Sequence, residues 1–158
     1  MTDPVPGVCY SGFRRGQSPK SGVFPTREQV LEDLRLLAGL GFRRLRMYEP
    51  NRHAETVLEL IAAEGLPLRV MLGIDPAAEY HNPGCPWTPE PLSDERYAEN
   101  ARRNDAQLGR LLELAGRYEK HMLALSVGNE NRPSWGADLV PVERLCAFAR
   151  RLKAGSGL

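Results

Sequence analysis

The sequence predicts an α/β fold assembled from strand–helix units, and three observations carry that prediction. Short apolar stretches alternate with longer amphipathic ones along the chain, which is the pattern of repeated strand–helix pairs. The amphipathic stretches keep apolar residues three and four apart, the spacing of one helix face. Long Gly- and Pro-rich loops follow the first and third apolar stretches, with a shorter one after the fourth. All of these lie at strand C-terminal ends, where α/β proteins hold their chemistry.

The first strand is expected over Pro6 to Ser11, followed by a loop through Gly12, Gly16, Pro19, Gly22 and Pro25. Thr26-Arg27-Glu28-Gln29 has the shape of a capping box, with Gln29 at the third helical position. The helix it opens carries Val30, Leu31, Leu34, Leu37 and Ala38 as its buried stripe, and Gly39 and Gly41 end it. A second strand runs from about Arg43 to Tyr48, with Leu45 and Met47 on one face and Arg44, Arg46 and Tyr48 on the other. After a Pro-Asn turn, Val57, Leu58 and Ile61 mark the core side of a helix closed by Gly65. Leu68 to Ile74 is the third strand, and Asp75 to Leu92 is a long loop. Ser93 or Asp94 starts a helix reaching about Tyr118, with Leu108, Leu111, Leu112 and Ala115 periodic. Met122 to Gly128 is the fourth strand. Pro141, suited to a first helical turn, opens a last helix through Val142, Leu145, Phe148 and Leu152.

A doubly wound sheet and half of a (β/α)₈ barrel both fit such a pattern, and periodicity does not separate them. A complete barrel takes roughly 250 residues, whereas the chain has 158. The expected organisation is one domain over residues 1–154, with 155–158 as a disordered tail.

Composition narrows the function classes. The net charge is +1 with both signs scattered, so nothing points to nucleic acid or an anionic membrane as partner. No apolar run approaches the ~20 residues of a membrane-spanning helix. Met1-Thr2-Asp3-Pro4 does not read as a signal peptide, which leaves localisation open with the cytoplasm as default. Cys9, Cys85 and Cys146 are widely spaced and form no Cys-x-x-Cys pair, so neither a zinc site nor a disulfide framework is expected.

Val127-Gly128-Asn129-Glu130 is the segment with the sharpest chemistry. Leu123, Leu125 and Val127 would face helices, while Ala124, Ser126 and Gly128 would face the other way, with Glu130 continuing their parity. Small residues below a strand-end carboxylate leave room for a ligand, and Asn129 offers a donor and an acceptor to a sugar hydroxyl. A glycosidase needs a carboxylic acid to protonate the departing oxygen, and a retaining one needs a second carboxylate about 5 Å away. Glu130 could be the first; an Asn-Glu pair that merely turns the chain is the alternative.

Gly7-Val8-Cys9-Tyr10-Ser11, Phe13-Arg14-Arg15-Gly16-Gln17-Ser18-Pro19, Arg46-Met47-Tyr48-Glu49-Pro50-Asn51, Leu72-Gly73-Ile74 and Val127-Gly128-Asn129-Glu130 occur in that order. Together they resemble bacterial members of glycoside hydrolase family 17, the β-1,3-glucanase-like barrels, over nearly the whole chain. The resemblance implies a partial TIM (β/α)₈ barrel of about four βα units out of eight. It implies Glu130 as proton donor of a retaining reaction on β-1,3-glucan, hydrolysis or transglycosylation, with Asn129 on the 2-hydroxyl of the cleaved sugar. Tyr48 would line the same subsite, with Tyr10 nearby. Glu49 departs from the Asp that often follows the Tyr, and the family's nucleophilic glutamate lies on a seventh strand. No residue here takes that role.

Trp87 and Trp135, in the loops after the third and fourth strands, could stack on sugar rings or plug the rim. Tyr80, His81, Asn82 and Cys85 match no metal spacing. The run Arg14 to Pro19 lacks both phosphate-loop arrangements, and His53 and His121 read as surface or capping residues. Arg46, if buried, needs a carboxylate partner, with Glu130 the candidate. No cofactor or metal is expected. The expected partner is a β-glucan, and two copies could pair to close the open half-barrel. A non-catalytic carbohydrate-binding or scaffold half-barrel is the alternative.

Overall fold

The computed structural model describes residues 5–88 and 90–158. Strands β1 (Gly7–Cys9), β2 (Arg44–Met47), β3 (Arg69–Ile74) and β4 (Met122–Val127) alternate with helices α1 (Arg27–Gly39), α2 (Arg52–Ala63), α3 (Asp94–Arg117) and α4 (Val142–Gly155). The four strands form one parallel sheet in the order β1-β2-β3-β4. This sequential order lacks the reversal that defines a doubly wound sheet. Gly155 is the last residue of α4, and Ser156 bonds back to Leu152 O through both its N–H and its hydroxyl, so helix and cap run past residue 154, where the sequence reading ended the domain.

Local chemistry sets the helix ends. At α1 the Thr26 hydroxyl accepts from the Gln29 N–H at 3.3 Å, and Gln29 Oε1 accepts from the Thr26 N–H at 3.0 Å. Gly41, at φ 90°, ends that helix, with its N–H on Ala38 O and the Phe42 N–H on Leu37 O. A left-handed residue here costs glycine nothing. Asn51 and Ser93 cap α2 and α3 by accepting from Ala54 N and Arg96 N. Pro141 sits just before α4 rather than within its first turn.

Paired residues of parallel strands point the same way, which separates the two sheet faces. Leu45, Met47, Val70, Leu72 and Ile74 are buried in one cluster with Leu34, Leu58, Ile61, Leu108, Leu111 and Phe148 of the helices. Cys9, Arg46, Met71 and Ala124 are in register across the other face and are half-buried or exposed. Near the start of β4 the register shifts, so that Val70 pairs with Met122 but Met71 pairs with Ala124. Leu123 is the extra residue of a β-bulge. Met122 is therefore fully buried, although strict alternation would have placed it with Ala124.

His53 departs from expectation. It is 4% exposed, enclosed by the rings of Tyr10 and Phe13 at 5.8 and 5.4 Å between centroids, and among the described residues neither ring nitrogen has a close hydrogen-bond partner. Burial pushes its pKa below the ordinary 6.5, outweighing Ser11 and Asp33, which favour the charged ring. The unfolded chain then binds the proton more readily, so stability is unaffected above pH 6.5 and falls as the pH drops below it. Urea midpoints measured at pH 7.5 and 5.5 should fall further for the wild-type protein than for His53→Leu. Equal falls would contradict this assignment.

Candidate functional site

The open sheet face converges on a small polar cluster at the strand C-terminal ends. Arg46 on β2 extends Nη2 to Asn129 Oδ1, just beyond β4, at 3.1 Å. Its guanidinium carbon also lies 4.6 Å from the Tyr48 ring centroid, within range of a cation–π contact. The Tyr48 hydroxyl donates to Cys9 Sγ at 3.3 Å. The tips of β1, β2 and β4 are thus joined through Cys9, Tyr48, Arg46 and Asn129. Arg46 therefore meets an amide rather than the carboxylate of Glu130 expected from sequence.

Glu130 is exposed, and its charge adds the smallest contribution to the raised Tyr48 pKa. Donation to Cys9 is the largest cause, burial is next, and Arg46 opposes them. Glu130 does not reach its place by strand alternation. β4 ends at Val127, and the chain then turns with Gly128 at φ 75° and Glu130 at φ 55°. A left-handed glutamate costs about 1–2 kcal/mol, and such strain collects at functional sites.

Asn131, 4% exposed, holds that turn from below. Its Oδ1 accepts from the Asn129 N–H at 2.9 Å, while Nδ2 donates to Pro76 O at 2.9 Å and Asp138 O at 2.7 Å. Any side chain at Gly128 would collide with Asn131 Oδ1. Sequence reasoning missed Asn131, although a Gly and two Asn within four residues after a strand are a turn-forming signal.

The remaining expected residues lie elsewhere. Tyr10 is 8% exposed, and its hydroxyl donates to Asp33 Oδ2 at 3.0 Å, beside the Arg14–Asp33 ion pair. Burial and the Asp33 carboxylate push its pKa well above the usual phenol range. Its ring borders a hollow shared with Ser11, Tyr48, Glu49 and Asn51, but its polar atom is turned toward α1. Trp87 and Trp135 are 69% and 49% exposed, so neither indole is a buried plug. Their loops are stitched together: Asn82 Nδ2 donates to Ser134 O at 2.8 Å and Gly136 O at 2.7 Å.

Asp75, the residue after β3, is a strand-end acid that the sequence reading passed over. Burial, then Glu49 and Asp138, raise its pKa. A larger hollow lies outside the sheet, between the starts of α1 and α2. There Arg27 pairs with Glu59, and Glu55 pairs with Arg110 and Arg117, so its acids and one of its arginines already have partners. Among the described residues no group of three His, Cys, Asp or Glu side chains could hold a metal ion. No helix among them is long and apolar enough to cross a membrane.

No protein-family model, curated protein or solved structure matches the chain.

Proposed function

We propose that these four βα units are part of a (β/α)₈-barrel glycosidase of the family 17 type, acting on β-1,3-glucan with retention and using Glu130 as acid/base. The observation that carries the reading is the Arg46–Asn129 contact. It draws the Asn-Glu pair beyond β4 toward Tyr48, on the face left free of helices and at the strand ends where α/β barrels act. The left-handed backbone of Glu130 supports it further.

In such a reaction Glu130, protonated, gives its proton to the glycosidic oxygen as the C1–O bond breaks and a second carboxylate bonds to C1. Glu130, now a carboxylate, takes the proton of the water or sugar hydroxyl that displaces the second carboxylate. The resemblance puts that second carboxylate on a seventh strand, which has no counterpart among the four strands described. We therefore expect glucan binding by the 158-residue chain without turnover.

Isothermal titration with laminarin should show binding that weakens in Glu130→Gln, and a reducing-sugar assay should show no release. Release abolished in Glu130→Gln would overturn the expected inactivity, and absence of laminarin binding would sink the glucan reading. The exposed indoles of Trp87 and Trp135 favour a second reading, a carbohydrate-binding half-barrel without catalysis. Binding that survives Glu130→Gln but is lost in Trp87→Ala or Trp135→Ala would select it. Pairing of two copies over the open face is part of the proposal, and sedimentation as a monomer at micromolar concentration would remove it.

A further inference from the structure

Arginines on the helices find carboxylates: Arg27 pairs with Glu59, Arg35 with Glu64 and Arg117 with Glu55. The arginines at the lower end of the open sheet face do not. Arg44 on β2 and Arg69 on β3 are register partners, so their side chains leave the same face of adjacent strands about 5 Å apart. Both are exposed, and among the described residues neither forms an ion pair. Like charges facing each other across strands oppose their pairing.

The two guanidinium groups are also oriented and uncrowded. Arg69 Nε and Nη2 both donate to Met122 O, at 3.1 and 2.5 Å, which fixes the head and leaves Nη1 and one Nη2 hydrogen available. Arg44 has five N–H donors. Its partner on the other side, Gly7 on β1, carries no side chain to press on its stem; a Cβ there would lie 3.1 Å from Arg44 Cβ.

We propose that Arg44 and Arg69 form a binding site for a tetrahedral dianion, the phosphate group of free phosphate or of a phosphate monoester. Two planar forks carry two positive charges, and a carboxylate answers only one of them, with two oxygens and a single charge. A phosphate group brings three or more acceptor oxygens and nearly two negative charges. The site lies at the N-terminal ends of the strands, away from Asn129 and Glu130, and does not depend on the glucan reading.

The test is an NMR titration of the arginine Nε–H signals with inorganic phosphate at pH 8, with ionic strength held constant by sodium chloride. The Arg44 and Arg69 signals should saturate together with a Kd of about 1 mM, the scale of two charge-assisted contacts on an exposed face. Arg44→Gln, which disturbs no side-chain bond of the fold, should weaken binding at least fivefold. Arg35→Gln removes an equal charge from the outer surface and should leave the Kd unchanged. Acetate should bind at least tenfold more weakly than phosphate. Glycerol 2-phosphate separates the two sources: binding like phosphate extends the site to monoesters, and exclusion confines it to the free ion. Shifts that stay linear in phosphate, a Kd indifferent to Arg44→Gln, or an equal response to acetate would overturn the proposal. So would inertness toward phosphate with saturable binding of polyglutamate, which would make the face a dock for acidic protein.

A second arm reads stability. In chloride alone Arg44→Gln should raise the urea midpoint, because the facing charges are gone. Saturating phosphate should raise the wild-type midpoint more than that of the variant. Equal rises would mean that phosphate acts only as a stabilising salt, and the site would fall.

Discussion

Gly128→Ala should lower the unfolding free energy by about 3 kcal/mol and dissolve the Arg46–Asn129 contact. One part is the left-handed backbone, worth about 1–2 kcal/mol for a residue with a Cβ. The other is steric. The new methyl would meet the buried Asn131 oxygen, and moving that amide endangers three hydrogen bonds, each worth about 1 kcal/mol. Gly22→Ala separates the two parts. Gly22 is also left-handed, at φ 70°, but a Cβ there meets nothing within 4 Å, so only the backbone cost of about 1–2 kcal/mol should appear. Urea denaturation of both variants checks this, and equal losses would mean that Asn131 is not the keystone of the turn.

Arg144→Met should cost about 3 kcal/mol, in the range measured when one partner of a buried ion pair is removed. Arg144 on α4 grips Glu79 with two hydrogen bonds, at 2.9 and 3.0 Å. The Glu79 side chain is only 8% exposed. Asn104 Nδ2 reaches the same carboxylate at 3.0 Å, and Arg144 also meets Asp105 at 3.0 Å. These partners push the Arg144 pKa well upward, Glu79 most strongly. Without the guanidinium, Glu79 would be left charged and poorly hydrated. Adding Glu79→Leu should restore most of the lost stability, because the stranded charge is then gone. If the pair is as unstable as Arg144→Met alone, the loss comes from packing against Phe148, whose ring centroid lies 4.7 Å from the guanidinium carbon.

The parts of the fold that follow from local chemistry were legible in the sequence. The capping box at Thr26 forms as read, and Val30, Leu34, Val57, Leu58, Ile61, Leu108, Leu111, Phe148 and Leu152 are all buried. Distant partners were less legible. Alternation along β4 assigns Met122 to the open face, but the bulge at Leu123 reverses it, because it depends on pairing with β3. His53 looked like a surface residue at a helix start and is enclosed by Tyr10 and Phe13, which belong to another βα unit. Asn100 and Asn104, which the sequence reading did not single out, are both buried and hold the carbonyls of Ala78 and Ala77. Of the candidate site, Asn129 and Glu130 were singled out from the end of the fourth strand, and Tyr48 from the resemblance alone. The link through Arg46 and the diversion of Tyr10 to Asp33 depend on side-chain direction, which periodicity does not fix.

The stitching of the two long loops bears on how this scaffold could be re-engineered. The segment after β3 and the segment after β4 share Asn82, Asn131 and the Glu79–Leu139 backbone bond, which tie them into one block. A graft that exchanges either segment alone would strand carbonyls and amides on both sides of the seam. Transplanted specificity must therefore travel as a matched pair of segments, with the Gly128–Asn131 turn carried along as its hinge pin.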